Sequence, residues 1–201
     1  MPDLILLRHG QSQWNLENRF TGWVDVPLSA KGEAEARTAG EKLRGRRIDL
    51  LYTSVLKRAI DTATIALETA GISPPPTVRD AALNERMYGE LQGLDKAEAA
   101  TRWGDAQVKL WRRSYDVRPP GGESLADTAA RVLPFWESRI LPDVRAGRHV
   151  LVAAHGNSLR ALVMHLDGLS HEQVLELEIP TGVPLLYDLA LDGRVTGKRY
   201  L

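Results

Sequence analysis

Two unbroken apolar runs, Leu4-Ile5-Leu6-Leu7 and Val150-Leu151-Val152-Ala153-Ala154, each lead into a His-Gly step, His9-Gly10 and His155-Gly156. A strand with one face in water alternates apolar and polar residues. A continuous run bounded by glycine reads instead as a strand buried on both faces. Ile48-Asp49-Leu50-Leu51-Tyr52 predicts a further strand, and Pro74-Pro75-Pro76 a stiff linker into a short extended piece. Helical spacing fills the intervals. One helix starts near Ser29, a good N-cap, and runs to about Gly45; another carries Leu56, Ile60, Ala63 and Leu67 on one face, with Ser54 as its cap and Gly71 as its end. Residues 83–94 read as a loop, followed by one or two short helices to about Tyr115 and a break at Pro119-Pro120-Gly121-Gly122. A long helix follows Ser124, with Pro134 and Pro142 near turns or a kink. Leu159, Leu162, Val163 and Leu166 mark a helix closed by Gly168. Leu185–Leu189 and Val195–Tyr200 form a terminal strand pair joined at Asp192-Gly193. The alternation predicts an α/β fold: a mainly parallel central sheet with helices on both faces, in one catalytic domain over residues 1–201.

Composition narrows the function classes. Lys plus Arg and Asp plus Glu both number 26, so the net charge is zero, which argues against a general nucleic-acid or membrane-surface binder. The absence of cysteine excludes a disulfide scaffold, a thiolate nucleophile and a cysteine-based zinc site. No apolar run approaches membrane-spanning length, and no basic, then apolar, leader precedes the first strand. The expectation is a cytoplasmic protein with neither nucleic-acid nor membrane partners.

In an open α/β sheet, ligands sit just beyond the carboxyl ends of the strands. If the two His-Gly strands are neighbours, His9 and His155 meet at one site. A neutral imidazole there can attack phosphorus and hold the phosphoryl group covalently. Arg8 offers a planar fork for phosphate oxygens, and Gly10 permits close backbone approach. Asn15 and the Thr21-Gly22-Trp23 step strengthen this reading. Arg58 falls in the first turn of a helix, where anions are already favoured. Glu85, on a glycine-containing loop, is a candidate general acid and base; Tyr88 and Lys96 are candidates for an anionic substrate. Arg112 and Arg113 diverge by about 100° on a helix, so both reach one ligand only from a helix end or an irregular segment. Read from the residues alone, the 84–96 segment and the arginine pair remain equally compatible with a solvated charged surface. Gly156 and Asn157 follow His155 at the second strand end. His149, His165 and His171 lack such a setting and read as structural or surface residues. Neither His-x-His nor His-Glu-x-x-His occurs, and no Walker-type phosphate loop, so the expected site contains no metal.

Several segments together carry a resemblance. They are Leu7-Arg8-His9-Gly10-Gln11-Ser12-Gln13-Trp14-Asn15, Phe20-Thr21-Gly22-Trp23, Leu28-Ser29-Ala30-Lys31-Gly32, Thr53-Ser54-Val55-Leu56-Lys57-Arg58-Ala59 and Leu83-Asn84-Glu85-Arg86-Met87-Tyr88-Gly89. Leu91-Gln92-Gly93-Leu94-Asp95-Lys96, Trp111-Arg112-Arg113, Ala154-His155-Gly156-Asn157-Ser158-Leu159-Arg160 and Ile179-Pro180-Thr181-Gly182-Val183-Pro184 complete the set. Over nearly its whole length the chain resembles the cofactor-dependent phosphoglycerate mutases of the histidine phosphatase superfamily. The resemblance implies that His9 carries the phosphoryl group, that Arg8, Arg58, Asn15 and His155 surround it, and that Glu85 exchanges the proton. It implies that Thr21, Gly22, Tyr88, Lys96, Arg112, Arg113 and Asn157, beside Gly156, hold the rest of the substrate. The implied reaction interconverts 3-phosphoglycerate and 2-phosphoglycerate through 2,3-bisphosphoglycerate, which also primes His9, without metal. Longer members carry an insertion where Val117-Arg118-Pro119-Pro120 here runs directly into Gly121-Gly122-Glu123-Ser124-Leu125, so the expected state is a monomer or homodimer. They also carry a tail beyond the position of Leu201, so closure of the site is expected to come from elsewhere or to be less complete. The rival activities are a histidine phosphatase, with water as acceptor, and a non-catalytic phospholigand-binding module.

Overall fold

The computed structural model describes residues 2–201. Strands β1 (Asp3–Arg8), β2 (Leu50–Thr53), β3 (Thr77–Arg79) and β4 (Val150–Ala154) are parallel, while β5 (Leu185–Leu189) and β6 (Val195–Tyr200) join antiparallel. The sheet order is β3-β2-β4-β1-β5-β6. The helices are α1 (Gln13–Leu16), α2 (Ala30–Leu43), α3 (Lys57–Ala70), α4 (Lys96–Trp103), α5 (Asp105–Arg113), α6 (Leu125–Phe135), α7 (Leu141–Arg145), α8 (Gly156–Asp167) and α9 (His171–Glu176). This is the expected α/β fold with a mostly parallel sheet.

The continuous apolar runs are explained by two cores. Leu4, Leu6, Val150 and Val152 face one side, against α6, α7 and α8 through Val132, Val144 and Leu162, and against Ile140 in the turn between α6 and α7. Ile5, Leu7, Leu151 and Ala153 face the other, against α2 and α3 through Ala39, Leu43, Ala63 and Leu67. Every residue of β4 is buried, so neither face of it is free to be polar. A smaller cluster of Phe20, Leu91, Ala99, Val108 and Trp111 roots α4 and α5 beside the site.

Some expectations are corrected. Ser54 does not cap α3, which starts at Lys57 behind Leu56 with no side-chain cap. Its hydroxyl instead accepts the Leu56 N–H at 3.2 Å and bonds the His155 ring at 2.7 Å. The second strand starts at Leu50 rather than Ile48, because the Asp49 N–H turns aside to the His149 carbonyl at 2.8 Å. The long helix expected after Ser124 is present, and its irregularity falls where the prolines were expected to put one: a π-helical turn, Trp136–Ile140, joins α6 to α7 between Pro134 and Pro142, which lack the N–H an α-helical ladder needs. Helix α1 was invisible to periodicity because it buries no residue; it is held by the Ser12–Asn15 capping box.

The chain leaving β1 lies directly on the start of α2. A methyl group on Gly32 would sit 2.0 Å from the Gln11 carbonyl oxygen, and one on Gly10 2.2 Å from the Gly32 carbonyl oxygen. Alanine at position 32 gains about 1 kcal/mol in helix propensity, while overpacking against fixed backbone costs about 1–3 kcal/mol. Gly32→Ala is therefore expected to lower the urea unfolding midpoint. An unchanged or raised midpoint would show that the β1–α2 contact yields freely.

Candidate active site

Pairing of β1 with β4 sets Arg8 opposite Ala154, and the next residue of each strand is a histidine. The His9 N–H donates to the Ala154 carbonyl at 3.0 Å, and the two imidazole centroids lie 5.0 Å apart. The strands are neighbours, as the convergence of the two histidines requires.

His9 is 3 % exposed. Its Nδ1 lies 2.6 Å from the Gly10 carbonyl oxygen, which only accepts, so the ring proton sits on Nδ1 and Nε2 keeps a free lone pair. Burial holds His9 well below the ordinary value of 6.5, aided by the charges of Arg58 and Arg8. His155 is wholly buried and held well below the same value by burial, then by Arg58, His9, Arg8 and Arg131. Its Nε2 meets Ser54, and its buried Nδ1 has no protein partner.

The arginines around this pair are tethered to backbone carbonyls. Arg8 donates to the Ile179 carbonyl at 2.8 Å. Arg58 is 1 % exposed and donates to the Val24 and Gly22 carbonyls at 3.0 and 2.7 Å. Burial brings its pKa down to about 10, partly opposed by Glu85 and Asp25, so it stays charged. Nε of both Arg8 and Arg58 is buried without a partner, as is the Thr21 hydroxyl. Gly22 has φ 56°, and a methyl there would lie 2.1 Å from Gln92 Oε1. Glycine is favoured by the left-handed backbone, while the Gln92 side chain would have to move to admit a methyl group.

On the other wall, Glu85 Oε1 accepts the Arg86 and Asn157 N–H groups at 2.8 and 3.0 Å. The Tyr88 hydroxyl accepts from Arg86 at 3.2 Å and from Asn157 Nδ2 at 3.4 Å. Burial pushes the Tyr88 phenol up, but the Arg86 charge and these hydrogen bonds outweigh it and leave its pKa lowered. Lys96, the first residue of α4, is lowered by burial and by Arg112.

These residues line a solvent-connected cavity of about 150 Å³. Arg8, His9, Asn15, Thr21, Gly22, Arg58, Glu85, Tyr88, Lys96, Arg112, Gly156 and Asn157 line it. His155 lies behind the wall against His9. Arg113 does not line it: it is exposed and borders an adjoining depression with Lys96, Lys109 and Arg112. That follows from the 100° divergence of adjacent helical residues. Sequence reasoning assigned no role to Arg160, Arg19 or Phe20, which also line the cavity. Arg160 is one turn along α8 from Asn157 and donates to its Oδ1 at 3.3 Å, so helical spacing was the available signal. His149 accepts the Asp3 N–H at 3.2 Å, and His171 stacks on Tyr115 at 3.6 Å, both away from the cavity lining.

Glu85 is the one carboxylate among the lining residues, against Arg8, Arg19, Arg58, Lys96, Arg112 and Arg160. With donors left unpaired at the lining residues Arg8, Arg58 and Thr21, the cavity suits a polyanionic ligand. Among the described residues no cluster of His, Asp or Glu could hold a metal ion, and no helix is long and apolar enough to cross a membrane.

The buried neutral histidines tie stability to pH. The unfolded chain takes up protons near 6.5 while the folded rings do not. Stability is therefore complete above that value and falls as pH drops below it. The wild type is expected to lose more stability between about pH 7.5 and about pH 5.5 than a His9→Asn/His155→Asn double variant, measured by urea unfolding. Equal losses would mean that the two rings take up protons in the fold as they do in the unfolded chain.

A family model for the histidine phosphatase superfamily (branch 1) matches residues 4–189. A 2,3-bisphosphoglycerate-dependent phosphoglycerate mutase of Methylobacterium radiotolerans is 60 % identical, covering 98 % of this chain and 94 % of the relative. One from Caulobacter sp. is 53 % identical, covering 100 % and 95 %. Among solved structures, a mycobacterial glucosyl-3-phosphoglycerate phosphatase in complex with vanadate (VO3) superposes with a TM-score of 0.82 at 28 % identity, covering 100 % of this chain and 97 % of that one. The chain belongs to the histidine phosphatase superfamily and, within it, to the family of 2,3-bisphosphoglycerate-dependent phosphoglycerate mutases.

Proposed function

We propose that this chain is a phosphoglycerate mutase that interconverts 3-phosphoglycerate and 2-phosphoglycerate through phosphorylated His9, in glycolysis and gluconeogenesis. The observation that carries the reading is the cavity itself. It presents the free Nε2 of a buried neutral histidine between backbone-tethered arginines, inside a chain closely similar over its length to mutases of that name.

His9 Nε2 attacks phosphorus, and the Gly10 carbonyl on Nδ1 stabilises the charge that grows on the ring. Arg8 and Arg58 bring charged donors to the transferring oxygens and need little reorganisation, because Ile179, Gly22 and Val24 already hold them, while His155 backs His9 from behind the wall. Glu85 gives a proton from Oε2 to the departing substrate oxygen and takes it back from the attacking hydroxyl on return; Oε1 is occupied by two backbone N–H groups. Asn15, Thr21 and Gly22 flank the transferring group, while Tyr88, Lys96, Arg112, Asn157 and Arg160 hold the remaining anionic groups. Arg113 contributes long-range charge. When bound, 2,3-bisphosphoglycerate supplies the phosphoryl group that loads His9. The same reading places this chemistry in a single metal-free catalytic domain, working in the cytoplasm as a monomer or homodimer on small phosphoglycerates.

The solved phosphatase neighbour makes hydrolysis the activity to compare. Isomerisation is expected to exceed phosphate release, to depend on added 2,3-bisphosphoglycerate and to survive a chelator. Phosphate release without isomerisation would replace the mutase reading with a phosphatase, and chelator-sensitive activity restored by metal would remove the metal-free mechanism. Glu85→Gln keeps shape and hydrogen bonding but cannot exchange the proton. Its kcat is expected to fall about 10²–10⁴-fold with KM little changed. Near-normal turnover would move the proton to another group.

A further inference from the structure

The segment carrying Glu85 has a second support that the reaction chemistry leaves unused. A guanidinium has five N–H donors. In Arg131, on α6, each has an acceptor. Nε and one Nη2 hydrogen go to the two oxygens of Glu123, each at 2.9 Å. Nη1 serves the Ala82 and Asn84 carbonyls at 2.8 and 2.9 Å, and Nη2 serves the Glu85 carbonyl at 2.9 Å. Arg8 and Arg58, which line the cavity, by contrast keep a buried Nε unpaired.

Glu123 holds the far side of the same loop. Its Oε2 accepts the Met87 N–H at 3.0 Å, and its own N–H donates to the Met87 carbonyl at 2.8 Å. The loop is thus gripped on both flanks of Glu85. The Glu85 carbonyl also accepts from Trp23 Nε1 at 2.6 Å, and the Arg131 guanidinium lies 5.6 Å from the Trp23 ring centroid. Trp23 belongs to the segment whose Gly22 and Val24 carbonyls hold Arg58. One carbonyl oxygen therefore joins α6, the Glu85 loop and the loop that anchors a phosphate-facing arginine.

We propose that Arg131, braced by Glu123 and Trp23, is a positioning residue for Glu85, fixing its backbone so that the carboxylate meets the departing substrate oxygen. This rests on the acid–base reading of Glu85. Lysine cannot replace Arg131, because three donors on a flexible stem cannot serve three carbonyls and a bidentate carboxylate together.

The test compares how fast His9 is phosphorylated in the first turnover by p-nitrophenyl phosphate and by phenyl phosphate. The poorer phenolate leaving group needs a proton from Glu85; nitrophenolate needs little help. The variants are Arg131→Ala, Arg131→Lys and Trp23→Phe, with Glu85→Gln as reference and thermal unfolding as a check on folding. In Glu85→Gln and Arg131→Ala, the phenyl phosphate rate is expected to fall at least about tenfold further than the nitrophenyl rate, with smaller selective losses in Arg131→Lys and Trp23→Phe. If Glu85→Gln is selective but the folded Arg131 and Trp23 variants lose both rates equally, or neither, the positioning role is overturned and Glu85 keeps its own. If Glu85→Gln shows no selectivity, the acid–base reading falls and this inference with it. Should Arg131→Ala not fold, Arg131→Lys and Trp23→Phe decide the same question.

Discussion

The site depends on buried positive charge that the protein leaves without a close counterion. Arg8 and Arg58 are bound by the carbonyls of Ile179, Gly22 and Val24, and Arg160 by the carbonyl of Leu177. A carbonyl orients a guanidinium without cancelling its charge. Burying cations in this way is costly unless an anion completes the arrangement. Burial first, and then the same field, holds His9 and His155 neutral, since a protonated imidazole would lose its hydration and be repelled by Arg58 and Arg8. The charge that attracts phosphate therefore also helps to keep the nucleophile's lone pair free.

The rest of the fold serves to hold that charge in place. Burial of β1 and β4 on both faces gives their carboxyl ends a fixed register, so Arg8, His9 and His155 cannot drift apart. The contact of Gly10 and Gly32 through their backbones fixes the exit of β1, and Thr62 accepts the Gly10 N–H at 3.1 Å. Cations at the more exposed rim, Lys96 and Arg112, stand on short helices rooted by the Phe20–Trp111 cluster. This arrangement suits a reaction in which one anionic end must be held tightly while another is released and turned.

Much of this was legible in the chain because local patterns were strong. The apolar runs before His9 and His155 marked strands buried on both faces, and their shared His-Gly ending pointed to one site. What the pattern could not carry was partnership across distance. Ser54 sits where a cap would, yet its hydroxyl serves a histidine 101 residues away. Nothing in the spacing of Arg112 and Arg113 decided which one faces the ligand; the end of α5 turns Arg112 inward. Arg131 carries no sequence signal, and its place emerges only when three of its five donors are followed to the carbonyls of a loop 46 to 49 residues upstream. Periodicity reports which face is apolar, not which carbonyls a polar side chain will meet.

The tautomer of His9 gives the most direct test of the account. Because Nδ1 carries the proton donated to the Gly10 carbonyl, only Nε2 is free to bond phosphorus. Protein loaded with 2,3-bisphosphoglycerate, kept alkaline to preserve the phosphoramidate and read by 31P and 15N NMR with peptide mapping, should carry one phosphoryl group on Nε2 of His9. Phosphorylation at Nδ1, labelling of His155 instead, or no phosphohistidine at all would contradict it.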